Sequence, residues 1–248
     1  MSADADSLFA LGLPPEDYDL PHPKIELPII LIVRRALVEA FARLRERCRL
    51  TGRDLAATKE NDVTRALLGV LENDLRQKGT VAGFNKTFFE EVTRQREVEN
   101  YSFIKTEKKP DMVFKLRSDE EAAQVLSTQN ALFVECKPVD SNHPAGGDYC
   151  DAGLRRFVEG DYAWAMQDAL MIGYVRDGRI IAGHLVPALQ QRPKLETLSL
   201  PKPVDASSAA ADSATEALHT SSHRRPFPWP GGKGPACTIT IYHSWHLC

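Results

Sequence analysis

The chain has 248 residues, 43% of them hydrophobic and 26% charged, which is enough to bury a sizeable core in one large domain or in a domain with a subdomain. Its net charge of −3 argues against a protein coated in positive charge for nucleic acid, although a local basic cleft stays compatible with that charge. The five cysteines include no CxxC pair, so they fit reduced thiols better than a disulfide framework or a zinc site.

The N-terminal region predicts an extended leader followed by two helices. Residues 1–24 are acidic and rich in proline, a composition that favours loosely packed chain. The apolar run LPIILIV that follows has seven residues, far below the roughly 20 needed to cross a bilayer, and no signal sequence precedes it. We therefore expect a cytoplasmic protein with no membrane partner. The apolar positions of the two helices recur at helical spacing: Ile30, Val33, Leu37, Phe41 and Leu44 in the first, and Val63, Leu67, Val70 and Leu71 in the second.

The rest of the chain alternates between strand and helix patterns. Residues from about 84 to 137 are strand-like, most clearly in PDMVFKL and ALFVECK. A helix is expected over about 150–170, and MIGYVRDGRIIAG then predicts two short strands around an Arg-Asp-Gly turn. Residues 193–221 are rich in alanine and serine and predict a flexible insertion. The last strand, CTITIYHSWHL within 222–248, is expected to complete or flank a core formed by residues 25–192.

Charged residues near the ends of two predicted strands point to a site. In ALFVECK, Glu135 and Lys137 share one face with Phe133 because side chains alternate along a strand. Burying such a pair costs free energy, which a metal ion with an anionic substrate would offset. Asp111 follows Pro110 at the start of the preceding strand, and antiparallel pairing would bring its carboxylate to Glu135. Two close acids repel unless a divalent cation lies between them, and oxygen-only ligands favour magnesium or manganese over zinc.

A simpler explanation competes at each position. Glu-x-Lys also occurs at Glu107–Lys109, so a surface ion pair is the default interpretation of an isolated match, and only the strand context favours Glu135 and Lys137. In the second helix, Glu60 falls within the arc of the apolar stripe and Asp62 outside it. Glu60 is therefore either a first-turn acid favoured by the helix dipole or a contributor to the same metal cluster.

Pro110-Asp111 followed by Glu135-Cys136-Lys137, after an acid-bearing helix, resembles the PD-(D/E)xK nuclease superfamily. The resemblance covers roughly residues 58–182. It implies an α/β fold with a restriction-endonuclease-like core, in which a mixed central β-sheet is flanked by helices. The Ala/Ser-rich insertion departs from this pattern and leaves the fold after about residue 190 open.

The resemblance also implies roles for individual residues. Asp111 would bridge the metal, and Glu135 would ligate it together with the Cys136 carbonyl. Lys137 would orient the attacking water or steady charge on the phosphate. Glu60 corresponds to a helical acid that many members of the superfamily carry. The implied cofactor is Mg²⁺, with Mn²⁺ as a substitute.

The sequence therefore predicts a metal-dependent nuclease, a DNA endonuclease of a bacterial restriction or antiviral-defence system whose targeting comes from a homodimer or a partner protein. No GxxxxGKS/T loop, GxSxG elbow or HExxH helix offers a rival site. The alternative is a noncatalytic nucleic-acid-binding or assembly module that keeps the nuclease fold. Six cationic residues are candidates for contacts with nucleic acid, with solvated surface charge as their default interpretation: Arg94, Arg96, Arg155, Arg156, His223 and Arg224.

Overall fold

A single mixed β-sheet of seven strands organises the chain. The computed structural model describes residues 18–105, 107–117, 125–204 and 217–248, so most of the predicted leader and the centre of the predicted insertion lie outside the described residues. The strands are β1 (Phe89–Thr93), β2 (Met112–Leu116), β3 (Ala131–Val139), β4 (Asp168–Val175), β5 (Thr197–Pro203), β6 (His219–His223) and β7 (Ile239–Leu247). Their spatial order is β1-β2-β3-β4-β7-β6-β5, and only the β3–β4 and β4–β7 pairs are parallel. The predicted α/β class with a mixed sheet flanked by helices is confirmed.

The two predicted N-terminal helices cover one face of this sheet. The first, α1 (Leu27–Leu50), stacks Phe41 on His246 of β7 with ring centroids 4.3 Å apart. The second, α2 (Glu60–Gly69), continues as a π-helical segment over Val70–Arg76. Its Thr64 hydroxyl lies 2.9 Å from the Tyr174 hydroxyl of β4, which fixes the start of α2 over the middle of the sheet. Within the described ranges, no helix combines the length and apolar character required to span a membrane.

The opposite face carries a helix that begins with a π-helical segment, Ala145–Leu154, and continues as α3 (Arg155–Val158). It ends earlier than the predicted helix over about 150–170, and β4 already begins at Asp168. The second strand predicted after the Arg-Asp-Gly turn is wrong, because Ile181–Leu185 is π-helical and leads into α4 (Val186–Gln190). The four-residue spacing of three buried side chains explains this helix: Ile181, Leu185 and Leu189.

Part of the predicted flexible insertion is ordered sheet. Strand β5 and most of β6 lie within 193–221 and pair with each other in antiparallel register, and β6 also pairs with β7. A 3₁₀ turn, Pro193–Leu195, precedes them. These strands contain few large apolar side chains. Polar side chains contact one another across them instead, as Ser199 and Ser222 do through hydroxyls 2.8 Å apart. The C-terminal strand β7 lies inside the sheet, between β4 and β6.

Candidate active site

Antiparallel pairing of β2 and β3 brings the first two predicted acids together. Met112 is the register partner of Val134, so Asp111, one residue earlier, lies opposite Glu135. The Cys136 backbone N–H donates a 2.8 Å hydrogen bond to Asp111 Oδ2. The Asp111 carboxylate is therefore anchored on the backbone of the strand that carries Glu135.

Lys137 lies at the centre of an acid cluster, defined as Glu60, Asp111 and Glu135. Its Nζ is 2.8 Å from Glu135 Oε1, 3.3 Å from Glu60 Oε1 and 3.6 Å from Asp111 Oδ2. These three carboxylates come from β3, from the start of α2 and from the residue before β2. One ammonium thus joins acids that are far apart in the sequence.

Glu60 is the helical acid that reaches the cluster. It is the first residue of α2, and its side chain is 32% exposed, whereas that of Asp62 is 52% exposed and pairs with Arg65. The helical wheel therefore selected the acid that the structure places at Lys137. A metal role for Glu60 stays a prediction.

Glu135 is fully buried and heavily contacted. The Tyr162 hydroxyl donates a hydrogen bond to Glu135 Oε2. Glu135 Oε1 lies 2.8 Å from Lys137 Nζ and 3.3 Å from Arg156 Nη1, so both cations pair with this oxygen. Burial and the neighbouring Asp111 charge raise the pKa of Glu135 to about 7, against the opposing effect of Lys137 and Arg156.

Lys137 stays charged despite its burial. Its side chain is 11% exposed, and burial alone would lower its pKa. The charges of Glu135, Asp111 and Glu60 outweigh that effect and raise the Lys137 pKa above its usual range. The cluster therefore consists of a permanent ammonium among carboxylates.

Gly153 allows the helix on this face to approach the acid strand. A Cβ atom added at Gly153 would lie 2.8 Å from Met171 Cε, 3.3 Å from Lys137 Cγ and 3.4 Å from Glu135 Cγ. Sequence reasoning missed both Gly153 and Tyr162. Tyr162 lies in an irregular segment after α3, where no periodic pattern indicates which way a side chain points.

The six cationic candidates separate into distinct groups. Arg156 reaches the acid cluster through Glu135, whereas Arg155 pairs with Asp151 on its own helix at 2.9 Å. Arg96 pairs with Glu91 at 3.6 Å, and Arg94 forms no ion pair with the cluster within the described part of the chain.

The prediction that His223 contacts nucleic acid is wrong. His223 is fully buried, and its ring lies 2.9 Å from the Leu195 carbonyl oxygen and 2.8 Å from the Ser221 hydroxyl. A side chain enclosed in this way cannot reach a phosphate. Arg224, one residue later, is exposed and lies 3.8 Å from Glu196. It follows β6, which is separated from β3 by two other strands.

The donor chemistry of the cluster fits a hard divalent cation. Among the described residues no three His, Cys, Asp or Glu side chains are arranged to hold a metal, and the Lys137 ammonium lies among the three carboxylates. The available donors are carboxylate oxygens, which suit Mg²⁺ or Mn²⁺. Asp111 and Glu135 would hold the ion with Glu60 and the Cys136 carbonyl.

The order of these residues along the chain is the order that the PD-(D/E)xK resemblance requires. Asp111 precedes β2, Glu135 and Lys137 lie on β3, and an acid-bearing helix comes before both. No family model, no curated protein and no solved structure matches the chain. The resemblance therefore rests on the sequence motif and stays a prediction.

Proposed function

We propose that this chain is a metal-dependent nuclease that hydrolyses phosphodiester bonds, with DNA as its substrate. The observation that carries the proposal is the convergence of Glu60, Asp111 and Glu135 on Lys137 within 3.6 Å. Three acids from separate elements, together with one lysine, would supply the ligands and the cation that phosphodiester hydrolysis requires.

The role that we assign to each residue is compatible with its contacts. Asp111 and Glu135 hold the cation, with help from Glu60. When bound, Mg²⁺ or Mn²⁺ activates water and neutralises charge that develops on the phosphate. Lys137 orients the attacking water or steadies that charge with its ammonium. Tyr162 keeps Glu135 in one orientation by donating a hydrogen bond to Oε2, so that Oε1 stays directed at Lys137 and Arg156.

The biological setting that we propose is a cytoplasmic bacterial restriction or antiviral-defence system. A net charge of −3 provides little nonspecific attraction to DNA over the whole surface. Targeting would then come from a partner protein or from a homodimer.

A noncatalytic nucleic-acid-binding module is the alternative. The observation that favours it is that Lys137 and Arg156 already compensate part of the acid charge without a metal. In that case the cluster would be a structural ion-pair network.

The deciding experiment compares cleavage in Mg²⁺ and in EDTA on plasmid, linear and single-stranded DNA and on RNA. We expect metal-dependent cleavage of DNA that Asp111→Ala abolishes. Calorimetry should also show loss of Mg²⁺ binding in that variant, while circular dichroism shows an intact fold. Wild-type protein that binds nucleic acid and cleaves none of these substrates would establish the noncatalytic alternative.

Glu60→Gln tests the third acid, with Asp62→Asn as its matched control on the same helix. Glu60 contacts Lys137, whereas Asp62 contacts Arg65. We expect Glu60→Gln to weaken Mg²⁺ binding and Asp62→Asn to leave it unchanged. Equal effects would remove Glu60 from the site.

A further inference from the structure

Two adjacent arginines on α3 have different surroundings. Arg155 pairs with Asp151 at 2.9 Å and lies 3.9 Å from Glu159, both on its own helical segment or just beyond it. Arg156 Nη1 lies 3.3 Å from Glu135 Oε1, and its guanidinium also contacts Tyr162. Only Arg156 is therefore directed at the acid cluster.

The position of Arg156 connects the buried cluster with solvent. Its side chain is 39% exposed, whereas Glu135 is 0% exposed. Gly153, three residues before Arg156, lets this helix lie against Glu135 and Lys137 without a side chain between them. Arg156 is therefore partly open to solvent while it contacts the buried Glu135 carboxylate.

The carboxylates are distributed unequally between the two cations. Lys137 has three carboxylates within 3.6 Å, and its side chain is 11% exposed. Within the described ranges, Arg156 pairs with one carboxylate, that of Glu135, which it shares with Lys137. An incoming anion is therefore attracted more strongly to Arg156, whose charge is less fully compensated.

We propose that Arg156 binds a substrate phosphate at this site and that Arg155 takes no part in binding. The ligand class is a phosphodiester anion, which the planar guanidinium can bind through two parallel hydrogen bonds. The identification of this phosphate as part of a nucleic-acid polymer rests on the proposed function. Glu135 holds the guanidinium in place in the free protein.

The test measures binding of a labelled DNA oligonucleotide to the full chain by fluorescence anisotropy in EDTA, over a series of salt concentrations. We expect Arg156→Ala to raise Kd about tenfold or more, the range for loss of a charged hydrogen bond. The slope of log Kd against log salt concentration should decrease by about 1, which corresponds to one released counterion. Arg155→Ala should leave Kd within about twofold of the wild-type value and the slope unchanged. Equal effects of the two substitutions would overturn the proposal.

Two controls separate binding from folding and from the source of phosphate. Arg156→Lys keeps the charge beside Glu135 and loses the fork, so its Kd should lie between those of wild type and Arg156→Ala while its thermal midpoint stays near that of the wild type. Calorimetry with inorganic phosphate alone gives the second arm. Arg156-dependent binding of free phosphate by a protein that binds no oligonucleotide would overturn the polymer as ligand.

The outcomes distinguish this inference from the nuclease itself. If the protein shows metal-dependent cleavage and Arg156→Ala binds the oligonucleotide as tightly as wild type, the inference is overturned and the proposed nuclease function stands. Arg156-dependent binding by a protein that cleaves nothing would overturn the nuclease and leave the inference. Wild-type protein that binds neither ligand and cleaves none of the nucleic acids in Mg²⁺ would overturn both.

Discussion

At the scale of single residues, Lys137 and Glu135 determine how the site responds to charge. The ammonium of Lys137 lies among three carboxylates, and Glu135 is held by two cations and a tyrosine hydroxyl. Removing a buried charge from such a network alters both its chemistry and its stability. The two residues therefore lead to two predictions.

The Lys137 prediction separates turnover from binding. Its ammonium is proposed to act on charge that builds up in the transition state, so it matters more to rate than to ground-state affinity. We expect Lys137→Ala to lower the rate of DNA cleavage by about 100-fold or more, the scale of losing one preorganised electrostatic group. Affinity for DNA measured in Ca²⁺ should fall much less. A mutant that cleaves at the wild-type rate would make Lys137 an ordinary ion-pair residue.

The Glu135 prediction concerns stability and pH in the absence of metal. Folding raises the pKa of Glu135 from near 4.5 to about 7, so its contribution to stability is fully present below pH 4.5 and is lost as pH rises through 7. Glu135→Gln cannot ionise. Urea denaturation in EDTA should therefore show wild type losing stability relative to Glu135→Gln across this window, by at most about 1.4 kcal/mol per pH unit. A difference that is constant from pH 4.5 to 8 would contradict the raised pKa.

At the scale of elements, Gly153 allows the helical segment Ala145–Leu154 to approach β3 closely, because a Cβ there would meet Met171, Lys137 and Glu135. Gly147 on the same segment is a matched control for substitution, because a Cβ there would meet nothing within 4 Å. Alanine also has the higher helix propensity, by up to about 1 kcal/mol. The two substitutions therefore separate helix stability from site geometry.

We expect Gly147→Ala to retain full activity and to gain slightly in thermal stability. Gly153→Ala should lose at least about tenfold in cleavage rate, because small displacements of positioned groups are costly. The measurement is cleavage rate and thermal midpoint for both variants side by side. Full activity in Gly153→Ala would show that Met171 yields and that the contact with β3 tolerates a methyl group.

Elements differ in how well the sequence predicted them, and the reason is physical. The apolar stripes of α1 and α2 and the short apolar runs of β2 and β3 indicated these elements, and antiparallel pairing of the two strands indicated the meeting of Asp111, Glu135 and Lys137. Strands β5 and β6 were missed because their side chains are mostly small or polar. Tyr162 and Arg156 reach the site through an irregular segment and a short helix, whose direction depends on tertiary packing that periodicity cannot express.

At the scale of the whole molecule, the inner strands enclose several histidines. A chain of contacts runs from the Tyr149 hydroxyl to His243 Nδ1 at 3.1 Å, from His243 Nε2 to Ser221 at 2.8 Å, and from Ser221 to His223 at 2.8 Å. Burial lowers the pKa of His223 to about 4 and, together with neighbouring arginines, that of His246 to about 3. These histidines are therefore neutral in the folded protein.

This burial predicts a stability that decreases in acid. Unfolding returns each histidine to a pKa near 6.5, so below that pH the unfolded state binds more protons, down to about pH 3 for His246. His246→Phe keeps an aromatic ring stacked on Phe41. Between pH 6 and 4 its free energy of unfolding should decrease less steeply than that of wild type, by about 1.4 kcal/mol per pH unit. Urea denaturation at several pH values measures this slope. Parallel slopes for wild type and His246→Phe would contradict the prediction.

The β5–β6 hairpin lies at the edge of the sheet, with β7 and β4 between it and the strand that carries Glu135. The chain leaving β5 and the chain entering β6 are joined by a 3.0 Å hydrogen bond from the Val204 N–H to the Leu218 carbonyl. The entropic cost of closing a loop rises slowly with its length, and tied ends keep an added segment from pulling on the sheet. A fluorescent reporter could therefore be inserted between these two residues to follow the protein in binding experiments while the acid cluster stays intact.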